Sequence, residues 1–337
     1  MALLAFAGAE DGLLEVLISG DVTQNSGQAR TGTYCFRVKG MSPTESILSN
    51  SFTLNFPERS EFFWQAATRV SSTATYGGYN PYHIGWCKGN TFLGCLITAG
   101  TLASMFVCRG DNSGTLLGSI NVGMPTNSWL LLEGHVVIHN TTGLVKVWAN
   151  GILVFNYSGD TQPGSDTGVD NLLFSGTPTT SGWQYWDDMI VGDVQGSYFN
   201  SQLGGLKIHR LAPTGIGNYS QWTPAGSTLN WACVDETPVS SDDYVKGAAS
   251  GNKDSYAMAD CPSNVYDVQA VVARYWAQGG GGIKRLLRIG STDYLGTTIN
   301  VSTSLTYNDD IMYVSPATSN PFTVSEINSL ESGMERQ

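Results

Sequence analysis

LVKVWANGILVFNYSG, residues 144–159, is the stretch that decides the fold of this chain. Asn150-Gly151 stands between two apolar runs, and this dipeptide is the strongest short-range signal for a β-hairpin with a type I′ turn. A two-residue loop also fixes the first cross-strand pairs: Ala149 with Ile152, Trp148 with Leu153, and Val147 with Val154. The sequence therefore predicts an antiparallel strand pair.

This pairing gives the predicted hairpin two different faces. One face carries four aliphatic side chains: Val145, Val147, Ile152 and Val154. The other carries three aromatic side chains beside Lys146: Trp148, Phe155 and Tyr157. Two partly covered faces are typical of an inner strand pair in a two-sheet sandwich. The aromatic face is a candidate glycan-binding platform, because flat rings stack on pyranose faces; a second packing layer under a long loop is the alternative.

Outward from the hairpin, the chain has strand-like patterns almost throughout. Alternating, β-branched and aromatic runs recur between turn clusters, and helical periodicity is absent before the last twenty residues. A length of 337 residues exceeds one ordinary core, and prolines and glycines in residues 209–231 mark a boundary. We predict an all-β protein with an antiparallel two-sheet jelly-roll sandwich over residues 1–212. A smaller β-sandwich domain with a short C-terminal helix is predicted over residues 213–337.

Charge and cysteine content limit the classes of partner. The net charge of -11 repels phosphate backbones, so nucleic acid is excluded as a partner. No apolar run approaches the ~20 residues that span a bilayer, and no basic segment precedes the first apolar residues. We therefore expect neither membrane insertion nor a secretory signal. The 6 cysteines form no CxxC pair, so buried thiols are expected, with a disulfide formed after release from the cell as the alternative.

Two adjacent carboxylates in WQYWDDMIVGD, residues 183–193, raise the question of a catalytic pair. Successive side chains of a strand point to opposite faces, so Asp187 and Asp188 are predicted not to share a substrate. We expect each to accept structural hydrogen bonds worth about 1 kcal/mol, with participation of one in a Ca²⁺ site as the alternative. His135 and His139 lie too far apart along a strand to share a metal. With no recognisable catalytic motif, we expect no enzymatic activity, cofactor or metal.

The C-terminal part carries three further signals. The four glycines at 279–282 are predicted to form the flexible tip of a hairpin between residues 267–278 and 283–296. The strand after them holds a local cationic patch, a candidate assembly contact: Lys284, Arg285 and Arg288. YNDDIMYV (307–314) repeats the pattern of YWDDMIV (185–191). Residues 323–333 are predicted to form a helix capped by Thr323 and Glu326 and ended by Gly333.

The order of these features resembles two known families. A strand pair around Asn-Gly followed by an Asp-Asp strand resembles the laminin G and concanavalin A-like jelly roll. More narrowly, the chain is similar to structural proteins of tailed bacteriophages, which carry “DD…D..G..N..LG…R..P.G” and then “W…N…VDE.P”. The matching residues are Asp187, Asp188, Asp193, Gly196, Asn200, Leu203, Gly204, Arg210, Pro213 and Gly215, followed by Trp231, Val234, Asp235, Glu236 and Pro238.

This resemblance implies a virion protein made in the host cytoplasm: a decoration, spike or tail-associated component. Its implied partners are other virion proteins and copies of itself, with a trimer expected, and it would have a cell-surface glycan as a further partner. The alternative function is a carbohydrate-binding, lectin-like module or adhesin. A glycoside hydrolase of the same fold would need two acids on one face, whereas Glu61 and Glu133 are isolated in the sequence.

Overall fold

The computed structural model describes residues 3–11, 16–40, 50–71, 82–98, 104–176, 182–237 and 239–337, so Pro238 of the phage-like motif lies outside the described residues. Contacts divide the chain into two compact units, residues 1–208 (unit 1) and 209–337 (unit 2). Their regular elements are almost all antiparallel strands, which confirms the predicted all-β class.

The described part of unit 1 forms two large sheets. Its strands are β1 (Leu3–Ala7), β2 (Leu17–Ser19), β3 (Val22–Asn25), β4 (Cys35–Lys39), β5 (Ser51–Arg59), β6 (Glu61–Val70), β7 (Tyr82–Lys88), β8 (Thr91–Thr98), β9 (Met105–Arg109), β10 (Thr115–Ile120), β11 (Leu130–Val137), β12 (Gly143–Ala149), β13 (Ile152–Gly159), β14 (Val169–Ser175) and β15 (Trp183–Asp193). Sheet A has the order β13-β12-β11-β6-β15-β4-β3, with β1 also pairing β15. Sheet B has the order β10-β9-β8-β7-β14-β5-β2.

The core of unit 1 lies between these two sheets. Aromatic rings from opposite sheets meet there: the centroids of Phe36 and Phe52 lie 4.8 Å apart, and those of Phe174 and Trp186 lie 5.1 Å apart. All four side chains are fully buried. Because alternate residues of each strand point inward, the remaining residues form an outer face on each sheet. The outer face of sheet A holds the candidate site.

The predicted Asn150-Gly151 hairpin joins β12 and β13, but its register departs from the prediction after two pairs. Ala149 pairs with Ile152 and Trp148 with Leu153 as predicted, and a bulge then leaves Val147 paired with Phe155 instead of Val154. The next pair on the same face is Val145 with Tyr157. A bulge inserts one residue into one strand, so every side chain of β13 beyond it changes face.

Unit 2 is built from shorter sheets. Its strands are β16 (Pro213–Ser220), β17 (Thr223–Ala225), β18 (Tyr244–Lys246), β19 (Lys253–Met258), β20 (Val271–Ala277), β21 (Gly282–Ile289), β22 (Thr292–Asn300), β23 (Thr306–Met312) and β24 (Glu331–Arg336). A five-stranded sheet has the order β16-β19-β24-β21-β22, and β17-β18 and β20-β23 form two-stranded sheets. A 3-10 helix (Trp231–Cys233) and helix α1 (Val324–Ile327) complete the elements, and buried Leu287, Phe322 and Ile327 pack in the core.

Two predictions for unit 2 need correction. The tetraglycine run does not close a hairpin, because β20 pairs with β23 while β21 pairs with β22 and β24. The Thr323 side chain does cap α1 by accepting from the Glu326 N–H at 3.1 Å. The helix ends after one turn, however, and Gly333 lies inside β24, where it pairs with Ser255 and Leu286. Tertiary pairing thus overrides the helix-stop signal of this glycine.

Candidate functional site

The structure separates the three aromatic residues predicted to form a glycan platform. Phe155 and Tyr157 share the inward face of sheet A with Val147 and Val145, because directly paired residues lie on the same side. Phe155 packs against the hydrophobic core, and the Tyr157 hydroxyl donates to the Asp160 carbonyl. Trp148 lies on the outer face and is half-buried. The prediction of one shared aromatic face was therefore wrong, because of the bulge.

The alternation predicted for Asp187 and Asp188 was also wrong. Asp188 adopts a left-handed φ of 50°, and the pairing of β15 with β6 shifts register between Asp187 and Ile190. Both carboxylates consequently reach the same segment. The backbone N–H groups of Arg30 and Thr31 donate to Asp187 at 2.8 and 3.1 Å, respectively. The Thr31 hydroxyl donates to Asp188 at 2.8 Å, and the Arg30 guanidinium forms an ion pair with Asp188.

The Asp187 and Asp188 carboxylates have a structural role. Both side chains are fully buried, and their oxygens are occupied by donors from the protein. Burial, followed by the charge of Asp188, raises the pKa of Asp187 well above its usual value, although three backbone N–H donors act in the opposite direction. Neither carboxylate has an open position for a substrate or a metal.

A second set of buried side chains fixes the segment that follows β15, residues 195–208, which we call the strap. The Gly204 N–H donates to Glu133 at 2.6 Å. The Leu206 N–H donates to Gln65 at 2.9 Å, and the Ile208 N–H donates to Asp188 at 2.8 Å. These three acceptors lie on β11, β6 and β15, so the strap crosses the outer face of sheet A. Of the phage-like motif, Gly196, Asn200, Leu203 and Gly204 lie in the strap, and Gly204 supplies one of these hydrogen bonds.

The remaining polar candidates of the sequence do not converge. Glu133 accepts a hydrogen bond from the strap, and the Glu61 carboxylate accepts from the His135 ring at 2.8 Å. The His135 ring stacks on Phe63 with centroids 4.1 Å apart. His139 instead accepts the Thr142 N–H at 3.0 Å in the turn after β11. Within the described ranges, no three His, Cys, Asp or Glu side chains are arranged to hold a metal ion.

The predicted cationic patch of unit 2 is largely neutralised. Arg285 is buried and donates to Asp310 at 2.7 Å, and Arg288 donates to Asp293 at 2.6 Å. Lys284 and Arg285 lie on opposite faces of β21, since β21 pairs with β24 without a bulge. The three side chains therefore do not form one exposed cluster.

A different group of cationic and aromatic residues lies on the outer face of sheet A. Tyr185 on β15 pairs with Arg37 on β4 and with Arg69 on β6, so the three side chains form one row across neighbouring strands. Trp183, two residues before Tyr185, lies on the same face, and the Arg37 guanidinium stacks over its ring at 4.1 Å. We call Arg37, Arg69, Tyr185 and Trp183 the arginine–tyrosine face.

The electrostatics of this face are unusual for an acidic protein. Arg37 donates from Nε to the Thr23 hydroxyl at 3.1 Å, but no carboxylate among the described residues contacts it. Arg69 is half-buried, and its Nε is shielded from solvent and has no hydrogen-bond partner within the described part of the chain. Burial raises the pKa of Tyr185 even though both arginines act to lower it, so its hydroxyl stays protonated.

Sequence reasoning missed this site. The signal was present in part, because Arg37, Arg69 and Tyr185 all occupy outward positions of strands that the alternation pattern predicts. Their strands are far apart in the sequence, however, and only the order of strands in sheet A brings them together.

Among the residues that the structure describes, no helix has the length and apolar composition needed to cross a bilayer.

Comparison with known proteins yields structural similarities only. No family model and no curated protein matches the sequence. The chain is similar to the cellulose-induced protein Cip1, with 15% identity over 55% of this chain and 95% of that one, at a TM-score of 0.43. It is similar to alginate lyase Aly36B, with 12% identity over 58% and 98% of the two chains, at a TM-score of 0.39.

A third similar structure comes from a phage. It is a carbohydrate esterase of the Shiga toxin-encoding bacteriophage phi24B, with 14% identity over 57% of this chain and 99% of that one, at a TM-score of 0.41. At such identities and TM-scores, these similarities carry no inference about ligand or activity.

Proposed function

We propose that unit 1 is a saccharide-binding module and that the arginine–tyrosine face is its binding surface. The observation that carries this proposal is the row Arg37–Tyr185–Arg69 beside Trp183, in which polar donors and aromatic rings share one face of a rigid sheet. Sugar recognition needs both kinds of group, because pyranose rings present flat C–H faces to aromatic rings and hydroxyls to hydrogen-bonding side chains. Binding, without catalysis, is the proposed activity.

The rigid surroundings support this proposal. The strands under the face pair with one another along their length, and Phe36 and Trp186 pack in the core directly beneath. Side chains held on strands keep their positions better than side chains on loops, which lowers the entropy lost when a ligand binds. Trp148 lies on the same outer face and offers a second aromatic surface. It belongs to the hairpin in which the sequence predicted the glycan platform, so it marks an alternative location for the binding site.

The two locations can be separated by a matched pair of tryptophan variants. The full-length protein is applied to an oligosaccharide array, and positive ligands are measured by calorimetry with Trp183→Ala and Trp148→Ala. We expect Trp183→Ala to weaken binding about 10-fold or more, by analogy with the loss of a well-packed aromatic contact, and Trp148→Ala to leave it within about 2-fold. Loss of binding in Trp148→Ala alone would move the site to the hairpin, and a protein that binds no saccharide would overturn the proposal.

A second candidate function is assembly into a phage particle as a decoration, spike or tail-associated protein. It is supported by the motif that runs from Asp187 to Glu236 and resembles phage structural proteins. A homotrimer and contacts with other virion proteins remain part of this proposal. Of the proposed contact residues, Lys284 alone lacks an ion pair within the described ranges, so it is the residue of the predicted patch that stays a candidate contact.

Sedimentation tests the assembly proposal independently of saccharide binding. Analytical ultracentrifugation of the purified chain is expected to give a trimer, and virions of the source phage are expected to carry the protein in a fixed copy number. A monomer that is absent from purified virions would exclude this function and leave the saccharide proposal standing.

A further inference from the structure

The charge balance of the arginine–tyrosine face differs from that of six other arginines in the chain. Six arginines each contact a carboxylate: Arg30, Arg59, Arg109, Arg274, Arg285 and Arg288. Arg37 and Arg69 have no such partner in the described ranges, although the chain holds 28 Asp and Glu against 17 Lys and Arg. Two uncompensated guanidinium groups across one tyrosine repel each other and favour an anion between them.

We infer that the ligand of this face carries an anionic group, a carboxylate or a sulfate ester, which Arg37 and Arg69 hold over Tyr185. This inference rests on the proposed saccharide-binding function and narrows it to acidic saccharides. Both groups present oxygens to which an arginine fork can donate two parallel hydrogen bonds.

The spacing of the row fits such a group. Neighbouring strands lie about 4.8 Å apart, so the Cα atoms of Arg37 and Arg69 are separated by about 10 Å, with Tyr185 midway between them. Arginine side chains span more than half of that distance, so both forks can meet above the ring when the Arg37 guanidinium swings from its position over Trp183. The Tyr185 hydroxyl adds a third donor at the centre.

The buried donor of Arg69 supports the same conclusion. Its Nε is shielded from solvent and has no hydrogen-bond partner among the residues that the structure describes, which costs free energy in the unliganded protein. A ligand oxygen satisfies this donor when the Arg69 side chain turns outward, because an atom that water does not reach is equally closed to a ligand in this conformation. Asp187, the nearest carboxylate in the sequence of β15, is not available for this role, because the Arg30 and Thr31 N–H groups occupy it.

The test measures binding of three saccharides to the full-length protein by calorimetry. The probes are tetragalacturonate, which carries carboxylates, its methyl ester, which has the same rings without charge, and a sulfated galactan tetrasaccharide. Arg69→Gln removes one positive charge from the face. Arg109→Gln is the control, because it removes the same charge from sheet B, where Arg109 pairs with the half-exposed Asp160.

We expect at least one acidic probe to bind, about 10-fold or more tightly than the ester. Arg69→Gln should weaken the binding of that probe by a similar factor, whereas the affinity of Arg109→Gln should stay within about 2-fold of wild type. Affinity should also fall between 50 and 500 mM salt, concentrations chosen to shorten the Debye length by about threefold. The better of the two acidic probes identifies the anionic group. Arg69→Lys, which keeps the charge but loses the fork, should fall between wild type and Arg69→Gln, and it replaces Arg69→Gln if that variant does not fold.

A second readout separates failure of the inference from failure of the proposed function. Sodium sulfate alone is titrated while the Nε–H resonance of Arg69 is followed by nuclear magnetic resonance. If sulfate shifts this resonance in a saturable manner but no saccharide binds, the anion site stands and the saccharide function falls. If the ester binds as tightly as the free acid and Arg69→Gln binds normally, the inference is overturned and saccharide binding stands. If neither sulfate nor any acidic probe affects Arg69, the inference is overturned.

Discussion

Arg30 and Arg69 lie on the same side of sheet A and have opposite electrostatic surroundings. The Arg30 guanidinium pairs with Asp188, whose side chain has 0% exposure, so this ion pair compensates a charge that water cannot reach. Arg69 has no ionic partner among the described residues, and its shielded Nε donates to nothing. The first arginine therefore stabilises the fold, whereas the second leaves a positive charge that no described carboxylate compensates.

Replacing each arginine with methionine tests this contrast. Arg30→Met leaves the buried Asp188 charge without its partner and is expected to lower the free energy of unfolding by about 3 kcal/mol. Arg69→Met removes an unpaired donor and a like-charge repulsion, so the free energy of unfolding should stay within about 0.5 kcal/mol or rise. Urea unfolding of the unliganded protein measures both. An equal loss in the two variants would mean that Arg69 holds a structural partner.

The two Asp-Asp pairs of the chain show where residue-level prediction holds. In β23, Asp309 pairs with Arg274 of its own sheet while Asp310 accepts from Arg285, so the two carboxylates point to opposite faces as strand alternation requires. In β15, the left-handed conformation of Asp188 breaks this alternation. The sequences YWDDMIV and YNDDIMYV do not differ in a way that gives the bulge. It depends on the strap and the Arg30 segment, which lie elsewhere in the chain.

At the scale of elements, strands and turns were predictable, whereas their partners were not. The Asn150-Gly151 turn and the two nearest pairs of β12 and β13 follow from local backbone geometry. The position of the bulge beyond them follows from packing in the sandwich. The arginine–tyrosine face likewise requires β15 to lie between β4 and β6, and pairings over such sequence distances leave no local signal.

The strap offers a prediction about one element. Gln65 is fully buried and makes two hydrogen bonds with the backbone of Leu206, at 2.8 and 2.9 Å. Gln65→Leu should lower the free energy of unfolding by about 2 kcal/mol, because the Leu206 N–H and carbonyl lose their partner. Hydrogen exchange should accelerate at residues 203–208 more than in β11. Ser201→Leu, at an exposed position of the same strap, is the control, and equal exchange in both variants would contradict this role of Gln65.

The segment between β17 and β18 supplies a pH-dependent element in unit 2. Burial, together with a hydrogen bond and charge from Asp243, raises the pKa of Glu236 from 4.5 to about 7. Between these values the folded state binds more protons than the unfolded state, so the stability of unit 2 should fall as pH rises through this window. Glu236→Gln should flatten the fall in urea unfolding measured between pH 5 and pH 8. If the pH dependence is unchanged in Glu236→Gln, another titratable group causes the loss of stability.

At the scale of the whole molecule, each unit has its own core. The core of unit 1 includes Phe36, Phe52, Phe174 and Trp186, and that of unit 2 includes Leu287 and the residues packed with it. A unit that buries its own apolar surface meets the main physical requirement for independent folding. All four residues of the arginine–tyrosine face lie in unit 1, so unit 2 contributes none of the proposed ligand contacts.

Expressing residues 1–208 and 209–337 as separate chains tests this division. We expect both chains to unfold cooperatively, because each retains its own core. Residues 1–208 should bind the acidic saccharide within about 2-fold of the full-length affinity, since additivity holds for independent parts. Calorimetric unfolding and titration measure the two properties. The Arg69→Gln substitution made in residues 1–208 should weaken binding about 10-fold, as expected for the full chain. A folded fragment 1–208 that no longer binds would show that unit 2 completes the site, and this result would contradict a binding face confined to sheet A.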